Sequence, residues 1–246
     1  MWKDYELTVN SLPQKVRFND TTVKNLFLPL IDTLQRLHNQ SKQRIIAFVA
    51  APPATGKSTL TLFLEQLANK QSIPLQAIGL DGFHYPNEYL NSHTIERDGN
   101  EIPLIKVKGC PESFDAEHLA DKLNELRANN VVKWPVYSRK LHDPVEDAQT
   151  VDKDIIILEG NWLLLKDERW TTLRKFADYA LFITADADVL KNRLISRKIQ
   201  GGSTEEQATA FYEASDKANV ERTLNDSVNA DEVWLMDNDG DFCLKK

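Results

Sequence analysis

Cysteine is scarce in this chain of 246 residues: Cys110 and Cys243 stand alone, without metal-ligand spacing or a C-x-x-C pair. That excludes a disulfide framework and a thiolate metal centre, and both thiols are read as reduced bystanders. Long apolar runs are missing too, since the longest, around "RIIAFVAAPPA" and "DIIILEGNWLLL", are too short or too interrupted to span a bilayer. The opening "MWKDYELTVN" carries charges where a secretory segment needs an apolar run. A cytoplasmic protein with no membrane partner is expected. Positive charge is in the minority, 30 Lys and Arg against 37 Asp and Glu, and the formal net charge of -7 repels phosphate backbones. Nucleic acid is therefore not an expected partner. Linkers rich in Pro and Ser, internal repeats and low-complexity tracts are also absent, so residues 1–246 read as a single folded domain.

What is present alternates strand with helix. "YELTVNSLPQKVRF" gives two alternating runs split by "NSLP", a small N-terminal hairpin over 1–20 that reads as an added edge element. Behind Asn19 and Asp20, the apolar residues Val23, Phe27, Leu30, Leu34 and Leu37 recur at helical steps, and Pro29 predicts a bend. "RIIAFVA" (44–50), "SIPLQAIGLD", "DIIILEG", "DYALFITAD" and "ADEVWLMD" read as strands. Helices are predicted at "STLTLFLEQLANK", "DAEHLADKLNELRANN" and "ADVLKNRLISRK", with one long charged helix at "STEEQATAFYEASDKANVERTLN". This rhythm predicts an α/β fold with a parallel sheet flanked by helices.

Between the first buried strand and its helix lies "VAAPPATGKSTL", residues 49–60, a phosphate-loop pattern with Ala51 where glycine usually opens it. In that setting the backbone of Pro53, Ala54, Thr55 and Gly56 and the helix N-terminus can cradle phosphates. Lys57 can reach the β and γ phosphates, Ser58 can hold Mg²⁺, and Thr59 adds a hydroxyl near the α phosphate. The bland alternative is a strand-to-helix turn in which Gly56 permits a bend and Ser58 caps the helix. Ala51 opposes binding only if its position needs a positive φ.

Two carboxylates follow strands. Asp81, in "LDGFHYPNEYL", stands at the carboxyl edge of the predicted sheet, placed to accept a proton from an attacking hydroxyl; a plain Asp-Gly turn is the other reading. Glu159 closes "DIIILEG" in the manner of a Walker B carboxylate that orients Mg²⁺. A guanine-reading N-K-x-D and a D-x-x-G after an apolar strand are both lacking, which argues against a GTPase switch.

The stretches "GKST", "DGFHYPN", "KGCPESFD", "PVYSRKLHDP" and "EGNWLLL", in this order, resemble the P-loop kinase superfamily of pantothenate kinase, uridine kinase and phosphoribulokinase. Within it the resemblance is nearest to bacterial members described as nucleoside-triphosphate hydrolases or fructose-transport-type kinases. Residues 44 to 236 carry it. The resemblance implies a kinase-type P-loop fold with a five-stranded parallel core, ATP and Mg²⁺, and a small hydroxyl compound as acceptor. It implies Asp81 as base, His84 and Tyr85 at acceptor contacts, Lys106 or Lys108 against an anionic group, and Tyr137 and Arg139 on the acceptor side. Asp115 reads instead as the N-cap of its helix. Arg193 and Arg197, one turn apart, fall in a lid over about 193–206 that Gly201 and Gly202 could hinge. Trp162 stands where the resemblance implies tyrosine. His38 and His118 are assigned to helix faces, and His142 to a pocket or a turn.

Together these predict an ATP-dependent phosphotransferase acting on a sugar, a pantothenate-like or glycerate-like acid, or a nucleoside. Lys57, Mg²⁺ and the lid arginines, with Arg197 among the catalytic residues, would neutralise charge while Asp81 accepts the proton. An ATP-binding regulatory or scaffold protein without an acceptor is the alternative. Monomer and homodimer are both left open.

Overall fold

A computed structural model describes residues 1–9, 12–97 and 99–245. Its packing divides the chain into two compact units, 1–78 with 153–246 and, inserted between them, 79–152.

The first unit opens with β1 (Trp2–Val9) and β2 (Leu12–Asn19), paired antiparallel with Tyr5 opposite Val16. The expected hairpin is there, although the first half of "NSLP", Asn10 and Ser11, lies outside the described residues. A helical stretch follows: α1 (Asp20–Thr22), a π turn (Val23–Phe27) and α2 (Leu28–Ser41). Asn19 Oδ1 accepts the Thr21 N–H at 3.1 Å and so caps it. Pro29 has no N–H for the carbonyl of residue 25, and just ahead of it the helix widens, Leu28 N–H reaching the Val23 carbonyl. The bend expected at Pro29 is thus a widened turn.

Next come β3 (Ile45–Ala50), buried along its whole length, α3 (Lys57–Lys70) and β4 (Leu75–Gly79). The second unit then contributes α4 (Asn87–Ser92), β5 (Thr94–Arg97), β6 (Asn100–Pro103), α5 (Ala116–Ala128), β7 (Val132–Ser138) and β8 (Asp143–Val151). The chain returns to the first unit with β9 (Ile155–Gly160), α6 (Glu168–Thr171), β10 (Tyr179–Ala185) and α7 (Ala187–Gln200). It ends with α8 (Glu205–Phe211), α9 (Lys217–Asn225), β11 (Glu232–Met236) and β12 (Phe242–Leu244). The long charged helix expected here is α8 and α9 joined by a π turn, Tyr212–Asp216.

Six strands form the main sheet in the order β12-β11-β10-β3-β9-β4. β3 lies between β10 and β9, parallel to both, and β10 pairs parallel with β11. Strands hydrogen-bonded on both edges and covered on both faces need apolar side chains in succession, which "IIAFVA" and "IIIL" supply. The short antiparallel β12 adds an edge that the sequence reading did not include.

The N-terminal hairpin is no edge of that sheet. It is a two-stranded sheet of its own, because its period-two pattern places Tyr5, Leu7 and Phe18 on one apolar face that packs on helices. Phe18 stacks on Phe63 of α3 with centroids 4.2 Å apart, Tyr5 meets the same ring at 4.5 Å, and Phe18 meets Phe27 edge-on at 5.4 Å. Its apolar face is therefore covered by this chain. No described helix is long and apolar enough to cross a membrane.

The second unit holds two further hairpins, β5–β6 and β7–β8. Register shifts between Trp134 and Val136, at Pro135, which cannot donate to the ladder. Trp134, fully buried, donates its indole N–H to the Gly79 carbonyl at 3.0 Å.

Candidate active site

In the first unit, β3 delivers the chain into the loop and α3 leads it away. Ala51 is fully buried in the core and is not among the residues with positive φ, so a side chain is tolerated where glycine is usual. The left-handed positions are Ala54, at φ 68°, and Gly56, at φ 83°. Gly56 is the N-cap of α3, and its carbonyl accepts the Leu60 N–H at 2.9 Å. A left-handed residue just before the helix turns successive N–H groups toward one point, the arrangement that gathers an anion. Thr55, also buried, donates its hydroxyl to the Pro52 carbonyl at 3.0 Å and closes the loop on itself.

Lys57 is the first residue of α3 and Ser58 the second. Ser58 Oγ donates to Glu159 Oε1 at 2.6 Å, while the β3–β9 register sets Glu159 opposite Val49. The two residues assigned to Mg²⁺ are therefore brought into contact. Thr59 is half-buried on the same turn.

Arg193, on α7, donates Nε–H to the Ala54 carbonyl at 2.8 Å, so the proposed lid helix is joined directly to the loop. Arg197 is exposed and its charge is felt by Asp216, whose carboxyl is pushed up by burial and drawn back down by Arg197 and Lys198. The structure therefore ties Arg193 to the phosphate loop. Gly202, at φ 100°, ends α7, and Thr204 with Gln207 begins α8 in a capping box.

In the second unit Asp81 opens a 3₁₀ turn, Asp81–Phe83, two residues after β4. Its carboxylate lies 3.8 Å from Arg139, with both side chains more than half exposed. Such an exposed pair contributes at most about 1 kcal/mol. The Asp-Gly step is more than a loose turn, because a Cβ on Gly82 would fall 2.1 Å from the Pro135 carbonyl oxygen. Gly82→Ala is accordingly expected to destabilise the protein by about 1–3 kcal/mol, since backbone cannot yield as a flexible side chain does. A urea midpoint unchanged from wild type would refute this.

His84 Nδ1 is 2.9 Å from the Asp81 carbonyl, and its ring lies 3.8 Å from Phe114 and 5.2 Å from Tyr137. Burial lowers its pKa, Lys108 and Arg139 add to that, and Asp81 opposes it. The unfolded chain therefore takes up a proton at this histidine at a pH where the folded chain does not. Stability should fall as pH drops below the ordinary value of 6.5 toward the lowered folded value. His84→Gln is expected to flatten that part of the profile in urea titrations of both proteins against pH.

Lys108 Nζ donates to Asn87 Oδ1 at 2.7 Å and to the His142 carbonyl at 2.9 Å, and lies 4.9 Å from the centre of the Tyr137 ring. Asp81, His84, Lys108, Tyr137 and Arg139 are thus drawn around one group of rings. Tyr85 goes elsewhere: its ring stacks at 4.2 Å on Tyr89, which stacks at 3.7 Å on His93. Lys106 is exposed on the turn before Lys108. Asp115 Oδ1 accepts the His118 N–H at 2.9 Å, the expected cap. His142 is a turn residue, at φ 54°, that offers its carbonyl. Trp162 is fully buried, and Cys110 is buried with its thiol pushed up to about 11, chiefly by desolvation.

Sequence reasoning did not single out Asn87, whose N–H is held by Asp143 Oδ1 at 2.8 Å, or Asp143 itself. Both stand inside quoted motifs, "DGFHYPN" and "LHDP", and a turn-forming Asn or Asp there was the available signal.

The model of the Phosphoribulokinase / Uridine kinase family matches residues 45–230, about three-quarters of the chain. An uncharacterised Escherichia coli protein, YggC, is 42% identical over 96% of this chain and 97% of its own length. A pantothenate kinase of Levilactobacillus brevis is 31% identical over 78% of this chain and 68% of its own. Among solved structures, a Silicibacter sp. TM1040 protein named for a fructose transport system kinase superposes with a TM-score of 0.77 at 26% identity, covering 85% of this chain and 98% of that one. By this match, which takes in the phosphate loop and the carboxylate-ended strand beside it, the chain belongs to the phosphoribulokinase / uridine kinase family.

Proposed function

We propose that the protein is an ATP-dependent phosphotransferase that moves the γ-phosphoryl group to a hydroxyl of a small metabolite. The observation that carries this is the contact of Ser58 with Glu159, at 2.6 Å, beside a helix N-terminus opened by a left-handed glycine. Two hard oxygens there suit Mg²⁺, which takes most of its ligands from phosphate and water and needs few from protein. Among the described residues no group of three His, Cys, Asp or Glu is placed to hold a metal, so these two would be the protein's share. Mg²⁺ would neutralise charge on the phosphate oxygens.

The chain's own residues divide the remaining work. The first unit supplies phosphate binding: loop N–H groups orient the donor, Lys57 neutralises the charge that develops on transfer, and Arg193 stands ready from α7. Asp81 of the second unit accepts the hydroxyl proton, with Arg139 as its neighbour. Lid closure over about 193–206 would bring Arg197, which is exposed, over the phosphates. The test is ADP release with Mg²⁺ and ATP across sugars, hydroxy acids and nucleosides. Acceptor-dependent release supports the kinase; ATP binding with no response to any acceptor favours a regulatory protein.

A further inference from the structure

A side-chain bond ties the N-terminal hairpin to a turn 222 residues further along the sequence. Asn19, at the end of β2, accepts the Thr21 N–H with Oδ1, which orients the amide so that Nδ2 donates to Asp241 Oδ2 at 3.0 Å. The other oxygen of Asp241 accepts the Phe242 N–H at 2.9 Å. Both side chains are half-buried and each polar end has a defined partner.

The turn that Asn19 holds lies between β11 and β12, and its sequence "DNDGD" (237–241) makes it stiff. Asp237 Oδ1 accepts the N–H groups of Asp239 and Asp241, both at 2.9 Å, and the Asp237 N–H donates to the Asp241 carbonyl at 2.9 Å. Gly240, at φ 82°, brings this turn against Arg193: a Cβ there would fall 3.1 Å from Nη1, and one on Gly56 would fall 3.8 Å from Nη2. Each terminal nitrogen of the guanidinium thus lies beside a glycine. Among the described residues its one hydrogen bond is to the Ala54 carbonyl, which leaves four of its five N–H donors open to a ligand. An exposed arginine samples many rotamers, and a ligand that captures it loses affinity to that ordering. Walls that already confine the side chain spare the ligand this loss.

We propose that Asn19 and Asp241 are positioning residues for the donor nucleotide: the hairpin holds the 237–241 turn, the turn holds Gly240 against Arg193, and Arg193 is thereby preset for the phosphates. This rests on reading the phosphate loop as the donor site. The hairpin then serves nucleotide affinity as well as covering α3.

The experiment is calorimetric titration of the full-length protein with ATP and Mg²⁺, with urea midpoints measured alongside. Asn19→Asp sets two carboxylates face to face. Adding Asp241→Asn to it reverses donor and acceptor and restores the bond, since carboxylate and amide oxygens still meet the Thr21 and Phe242 N–H groups. Asn19→Asp is expected to weaken ATP binding about 3- to 10-fold and to raise KM for ATP in step with kcat little changed, and the double change to recover most of the loss. Asn19→Ala, which deletes the bond without adding charge, carries the same expectation as Asn19→Asp. In an Arg193→Gln background neither change at Asn19 should have a further effect, because the route through Arg193 is gone. Wild-type affinity in folded Asn19→Asp and Asn19→Ala, a loss that the double change does not recover, or an equal loss with and without Arg193 overturns the inference, the last leaving the tie a matter of hairpin stability alone. No ATP binding by the unaltered protein would sink the donor-site reading and the inference with it. ATP binding with the expected losses but no acceptor-dependent ADP release upholds the inference and favours the regulatory protein.

Discussion

Asp81→Asn is expected to lower kcat for phosphoryl transfer about 10²- to 10⁴-fold, the usual contribution of a positioned general base. Asparagine keeps the size of the side chain and can still sit at the head of the 3₁₀ turn, so the change removes proton affinity and little else. The ion pair with Arg139 is also lost, but at 3.8 Å with both partners more than half exposed it holds too little energy to unfold the unit. Stability should stay within about 0.5 kcal/mol of wild type. ATP affinity should be unchanged, because the loop proposed to bind phosphate is built from other residues. Turnover equal to wild type would return Asp81 to the plain turn residue that its neighbour Gly82 also suggests. A loss of ATP affinity in step with kcat would show a different role, in the donor half.

The second large effect concerns Lys57. Substitution by alanine at the first position of α3 should leave folding intact, since alanine is the better helix former. Nucleotide affinity should nevertheless fall about 10²- to 10³-fold, the loss expected when charge-assisted hydrogen bonds to phosphate are removed. Calorimetric titration with ATP and Mg²⁺ reads this directly. Retained affinity would count heavily against the loop as the nucleotide site, whatever its geometry.

The parts of the fold that show in the sequence are those whose physics is local. "IIAFVA" and "IIIL" announce strands buried on both faces, and "TGKST" announces the loop between them. Asn19 and Asp115 cap the helices they precede. The second unit is harder to see. β8 is exposed along most of its length, so it lacks the apolar alternation by which a strand is recognised, and β7 carries Pro135 at its centre. β12 is three residues long. The second unit is legible only as scattered motifs, because the contacts of Asp81 with Arg139 and of Lys108 with Tyr137 join residues far apart in the sequence. Ala51 teaches the same lesson from the other side: the position that motif counting marks as deficient has ordinary φ, and the left-handed turns are made by Ala54 and Gly56.

The bond from Arg193 to the Ala54 carbonyl also has a mechanical meaning. It fixes α7 to the loop near the helix midpoint, and from there to Gln200 runs roughly 10 Å of rigid helix. A displacement of the Ala54 peptide would thus be passed to α7 through a side chain 139 residues further along the sequence, so that the loop and the helix are joined in space as well as through the chain.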